Sequence, residues 1–282
     1  LGQMLLNIAS PSGYDLFILT SVLISFALVP LLLVRTPSPT IDVPEKLQMA
    51  SLIKTAPLGV TGVTLAGVVT GAVLGLAAVY AQSIGMNVAE ISLFLGASYV
   101  GGLLLQWPIG RLSDIQDRRV TILLVSITAS ITAFVVPVGM YLDNHYLMLL
   151  GMFLVGAFSF PLYSLSASHV NDQLRPEQIL SASSGLILLN GIGGATGPII
   201  GALAMDFLDV NALFWFVAIV NIFVAMVAAY RINYQPPMII EDQGDQVPVA
   251  LGVSPVVTAE MFAEADSNLE VEEEVTEVEI KL

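Results

Sequence analysis

Cysteine is absent from the chain, which excludes disulfides and thiolate metal sites. Histidine occurs only twice, and no His-Glu-x-x-His run is present to hold a catalytic metal. Charged residues make up 11% of the sequence, against about 25% in soluble domains, so an ordinary soluble fold is excluded. No Gly-rich loop ending in Lys-Ser or Lys-Thr is there to cradle a phosphate. Gly191-x-Gly193-x-x-Thr196 is a poor dinucleotide match and lies inside an apolar stretch. No paired nucleophile and base can be assembled, so neither an enzyme nor a cofactor nor a metal is expected. The net charge of −14 argues against nucleic acid as a partner.

What the sequence does contain is apolar: 56% of its 282 residues. A helix needs about 20 apolar residues to cross the hydrocarbon core of a bilayer. Seven stretches are of that kind, at about residues 14–34, 56–81, 88–110, 120–140, 146–168, 179–204 and 211–230. None alternates in the manner of a ten-residue barrel strand, so the expected fold is an all-α membrane protein. A Pro-rich connection with Pro37, Pro39 and Pro44 separates the first stretch from the other six. The chain starts at Leu1 in mid-pattern, without a basic leader, and reads as a piece whose upstream part is missing.

The placement of charge predicts the topology. Arg35, Lys46 and Lys54 fall in the first connection, Arg111, Arg118 and Arg119 between the third and fourth stretches, and Arg175 between the fifth and sixth. Arg231 and Lys281 follow the seventh, so every basic residue lies on alternate connections, which is one face of the membrane. The positive-inside rule makes that face cytoplasmic, together with the C-terminus. Residues 236–282 carry twelve acids and one lysine, so the acidity belongs to a tail. Its low apolar density predicts disorder. Leu269, Val271, Val275, Val278 and Ile280 within the acidic run are a candidate docking segment for a basic cytoplasmic partner.

The sharpest local signal starts at Gly101-Gly102 and passes Gln106, Trp107, Pro108, Gly110, Arg111, Leu112, Ser113 and Asp114 to reach Asp117-Arg118-Arg119. Glycine and proline there let two helices approach and then stop the first, while the charges fill a tight turn. The stretch resembles the signature loop of the major facilitator superfamily, Gly-x-Leu-x-Asp-basic-x-Gly-basic-basic. Gly110, Leu112, Ser113, Asp114, Arg118 and Arg119 match it, whereas Ile115 stands where a basic residue is usual and Asp117 where glycine is usual.

The resemblance implies that this is the loop between helices eight and nine. Residues 1–35 then end the N-terminal bundle with its sixth helix, and 36–55 form the central cytoplasmic loop. Residues 56–231 form the C-terminal six-helix bundle, and 232–282 the tail. It further implies alternating-access transport of a small solute across the bacterial inner membrane, with the N-terminal bundle as partner. Gly110, Arg111, Asp114, Arg118 and Arg119 would serve as the gating loop. Asp114 would meet the start of helix eleven around Pro176, Glu177 and Gln178.

Gly193, Gly197, Pro198 and Gly201 form a second signal, small residues four apart with a hinge-forming proline. Gly67, Gly71 and Gly75 form a similar stripe that reads as packing. Tyr80, Tyr99, Gln106, Tyr163, Ser166 and Asn190 are candidates to line a central cavity, with interhelical hydrogen bonding as the other reading. No Asp, Glu, Lys, Arg or His sits near the middle of the last six stretches, so no intramembrane proton site is read there. A non-transporting membrane scaffold acting through its acidic tail is the competing reading.

Overall fold

The computed structural model describes residues 14–33 and 49–234, and every regular element among them is an α-helix. The acidic tail, its docking segment, and Arg35 and Lys46 of the first connection lie outside the described residues. Helix α1 spans Asp15–Leu33, α2 Met49–Thr55, α3 Pro57–Ser83, α4 Val88–Ile115 and α5 Arg118–Ala133. Then follow α6 Val135–Tyr141, α7 His145–Ser159, α8 Pro161–Asn171, α9 Pro176–Phe207 and α10 Ala212–Tyr234. Among the described residues, six helical spans are long and apolar enough to cross a membrane. The chain is an all-α membrane protein.

Proline explains why two of those spans come in pieces. The span Arg118–Tyr141 breaks at Phe134, because Pro137 has no N–H to return to the carbonyl of Ala133. The span His145–Asn171 breaks at Phe160, where Pro161 cannot bond the carbonyl of Ala157. Just past the end of α3, Gly85 with its φ of +84° lets the Met86 N–H turn back to the Ala81 carbonyl at 3.0 Å. The next helix starts at once: Asn87 Oδ1 accepts from the Glu90 N–H and Glu90 Oε2 accepts from the Asn87 N–H.

Small residues bring helices of the bundle into close contact, above all along α3–α9 and α4–α7. Between α3 and α9, a Cβ added at Gly67 would strike the carbonyl oxygen of Asn190, and one at Gly71 that of Gly194. From the other side, Gly193 meets the Thr64 carbonyl and Gly197 the Val68 carbonyl. Asn190 Nδ2 adds a hydrogen bond across the seam to the Val63 carbonyl at 3.1 Å. Between α4 and α7, Gly101 abuts the Phe153 carbonyl and Gly156 the Ser98 carbonyl. Helices in lipid associate through such close backbone approach, because lipid is as apolar as their side chains.

Part of the connection read from sequence as a loop is helical. Helix α2 packs its buried Leu52 against α9, with Met49 and Leu52 over Gly185. Seven residues with one apolar face are too short to show a helical period, which is why the pattern missed it.

Gly197→Val should lower the thermal midpoint of the detergent-purified protein by the equivalent of about 1–3 kcal/mol of overpacking. Gly191→Val on the same helix, where an added Cβ meets nothing within 4 Å, should leave the midpoint nearly unchanged. Equal effects of the two would show that the seam is not what holds α9.

Candidate functional site

The charged residues of the α4–α5 turn converge on one buried cluster. Arg118 opens α5 and is 1% exposed. Its Nε lies 3.0 Å from Oδ2 of Asp172, which caps the end of α8 with a side chain only 4% exposed. Its Nη2 lies 3.4 Å from Asp114 Oδ1, one turn earlier. An arginine at a helix N-terminus and an aspartate at a helix C-terminus each oppose the local helix dipole. Each is tolerable here because it faces the other. The pair therefore ties the α4–α5 turn to the end of α8.

Beside it, Asp117 accepts from the Arg119 N–H at 2.9 Å and so caps α5. The Arg119 guanidinium closes back on the same carboxylate, Nη2 to Oδ2 at 2.6 Å. Partial burial pushes the Asp117 carboxyl up, but the hydrogen bonds and charge of Arg119 outweigh it and hold the group below its usual range. Asp117 thus has a definite task, capping α5 and pairing with Arg119. His169 is buried within electrostatic reach of Arg118, Arg119 and Asp117. Gln173 stands against its Nε2 at 3.0 Å and also donates to its carbonyl.

The other residues singled out in sequence fall in separate places. Gly110 is buried, and Arg111 is exposed with its guanidinium 5.7 Å above the ring of Trp107. Gly193, Gly197 and Gly201 are buried in the α3–α9 seam, where the Pro198 ring faces Gly75. Tyr80 is fully enclosed between Phe94 and Phe214 and donates to Asn211 Oδ1 at 3.1 Å. Ser166 is fully buried against Gly62, and Asn190 bridges to α3. Tyr99 packs its ring 6.2 Å from that of Phe160, and Tyr163 packs against two apolar clusters. Gln106 is half-buried on α4. These six do not share one site: the α3 positions facing Ser166 and carrying Tyr80 are about 27 Å apart along the helix. Side chains of Pro176 and Glu177, expected near Asp114, lie outside the described residues.

Asp172 and His169 are the members of the cluster that sequence reading left without a role. Their signal was present: an acid and an imidazole at the end of a span on the face that carries every basic residue. Buried basic groups there require a counter-charge.

A family model described as the Major Facilitator Superfamily matches residues 58–262. The chain belongs to the major facilitator superfamily. Among relatives, the uncharacterized MFS-type transporter YcaD of Escherichia fergusonii is 30% identical over 224 residues, 78% of this chain and 57% of its own length. YcaD of Salmonella arizonae is 29% identical over 242 residues, 84% of this chain and 61% of its own. The chain thus spans about three-fifths of the length of the curated relatives it matches. The cluster sits in the turn whose residues resemble the superfamily's signature loop.

Removing one partner of a buried ion pair leaves the other uncompensated, at a cost of about 3–5 kcal/mol. Asp172→Asn should therefore depress the thermal midpoint far more than Asp114→Asn, whose carboxylate is 25% exposed and worth about 1 kcal/mol or less. Equal losses would rule out Asp172 as the main counter-charge. Because its native pKa is lowered, Asp117 should contribute fully above about pH 4. That contribution should vanish as pH falls through the lowered value. Stability of wild type relative to Asp117→Asn, followed by denaturant unfolding across acid pH, checks the sign.

Proposed function

We propose that the protein moves a small solute across the bacterial inner membrane by alternating access, as the second bundle of a two-bundle secondary carrier. The reading rests on the buried cluster of Arg118, Asp172 and Asp114, in a chain of this superfamily. An ion pair between two spans is strong while dry and weak once water enters, so it suits a contact that must be made and broken. In this reading Asp114, Arg118 and Arg119 act in closing the basic face, joined by Asp172. The α9 glycines and Pro198 give the close packing and bending that the motion needs. The solute binds near the midplane between the bundles, where superfamily repeats meet. The basic face and the C-terminus are cytoplasmic in this orientation.

Cells expressing the full-length gene should change the solute content of medium and cytoplasm, read by untargeted mass spectrometry, with export examined first. Asp114→Asn at matched membrane expression should reduce those shifts. No difference between expressing and empty cells, with the protein in the membrane, would sink the transport reading and favour a scaffold acting through the acidic tail.

Orientation has its own test. In a chain without native cysteine, Ile115→Cys at the basic end and Leu142→Cys at the other end are both exposed, at 66% each. An impermeant maleimide added to intact cells should label only the second. Labelling of the first alone inverts the orientation.

A further inference from the structure

Helices α4 and α7 touch backbone to backbone at Gly101 and Phe153. An added Cβ at Gly96 meets nothing within 4 Å, although Gly101, five residues on, has no room for one. Between the two helices at Gly96 lies an open surface groove of about 490 Å³. Leu93, Gly96 and Val100 of α4 and Leu149, Leu150 and Phe153 of α7 line it, and its walls are almost wholly apolar. One turn beyond the groove along each helix stand Glu90 and His145, with Oε1 and Nε2 3.7 Å apart. Each is more than a third exposed there.

Glu90 is built to present charge at this point. Its Oε2 is committed to the Asn87 N–H at 2.8 Å, which fixes the carboxylate and leaves Oε1 facing His145. The distance from Oε1 to His145 exceeds that of a hydrogen bond, so a second donor can enter between them. We infer that the groove binds a single-chain amphiphile, with its aliphatic tail between α4 and α7 and an ammonium head on Glu90. Charge complementarity selects the head: an ammonium donates to the carboxylate, whereas an anionic head meets like charge. A phospholipid is disfavoured for the same reason, since its phosphate would sit beside Glu90. His145 competes with the ligand for Oε1. The inference concerns bound ligand and does not rest on transport.

A dodecylammonium probe carrying a diazirine near the end of its tail tests this on the full-length protein in phosphatidylcholine nanodiscs. Photolysis and peptide mass spectrometry should place the adducts in 93–100 and 149–153. An equally long probe with a neutral sugar head should label both segments weakly. Glu90→Gln keeps the helix cap, since glutamine serves at that position as well. It should reduce ammonium labelling about tenfold, the scale of a charge-assisted hydrogen bond. His145→Asn should leave labelling intact or raise it. Equal labelling by the two probes, or indifference to Glu90→Gln, would show a groove filled by any apolar chain and overturn the proposal. Displacement of the probe by added phosphatidylethanolamine would overturn it in favour of a phospholipid.

Discussion

In hydrocarbon a helix gains almost nothing by hiding leucine from lipid, so closeness of approach must do what the hydrophobic effect does in water. This bundle depends on that constraint. Glycines at positions 67, 71, 193 and 197 bring the α3 and α9 backbones into contact, and those at 101 and 156 do the same for α4 and α7. Dispersion at that distance is weak per atom pair but runs over several turns. The polar contacts within the membrane follow from the same seams. Asn190 reaches the Val63 carbonyl because Gly67 lets α9 come near. Ser166 fits against α3 only where Gly62 leaves room for it.

The ionic cluster obeys the opposite rule. Its groups gain from being dry only while they are matched, and each is placed where its own helix dipole disfavours it. Arg118 at the start of α5 and Asp172 at the end of α8 are therefore poor choices separately and adequate ones together. Asp117 differs, since an acid at a helix start is favoured by the dipole and by the free N–H groups there. The cluster joins one locally stable pair, Asp117 with Arg119, to one that depends on two spans staying in contact.

The spans were legible because membrane helices carry their signal in composition alone. The boundaries read from hydropathy fall within a few residues of α3, α9 and α10. The α4–α5 turn was legible through its motif, and the stripe at Gly67, Gly71 and Gly75 through its four-residue spacing. Asp172 was hidden because nothing local distinguishes an acid that meets a buried arginine from one that meets water. Only the packing of α8 against α5 decides it. Tyr80 was equally ambiguous: a tyrosine in an apolar span fits a cavity wall or a buried hydrogen bond, and Asn211, 131 residues away, is what holds it. The breaks at Phe134 and Phe160 follow from Pro137 and Pro161, although a proline leaves open whether its helix kinks or restarts.

Helix α4 draws these elements together. Its middle is pinned by Gly101 and Gly102 against Phe153 and Phe160. One arm runs about 20 Å from that contact to Asp114, and the other about 16 Å to Glu90. Each arm ends on an ionisable partner carried by the α7–α8 span, Arg118 linking Asp114 to Asp172 at one end and His145 facing Glu90 at the other. Only the end at the ionic turn is tied by a close ion pair, since Glu90 and His145 stand beyond hydrogen-bond distance. Pro108 interrupts only the arm toward the ionic turn, removing the hydrogen bond to the Leu104 carbonyl. That arm alone can bend without disturbing the seam. The two ends of α4 are therefore unequal: one arm borders an apolar groove, and the other, which lacks one backbone hydrogen bond at Pro108, carries the buried cluster.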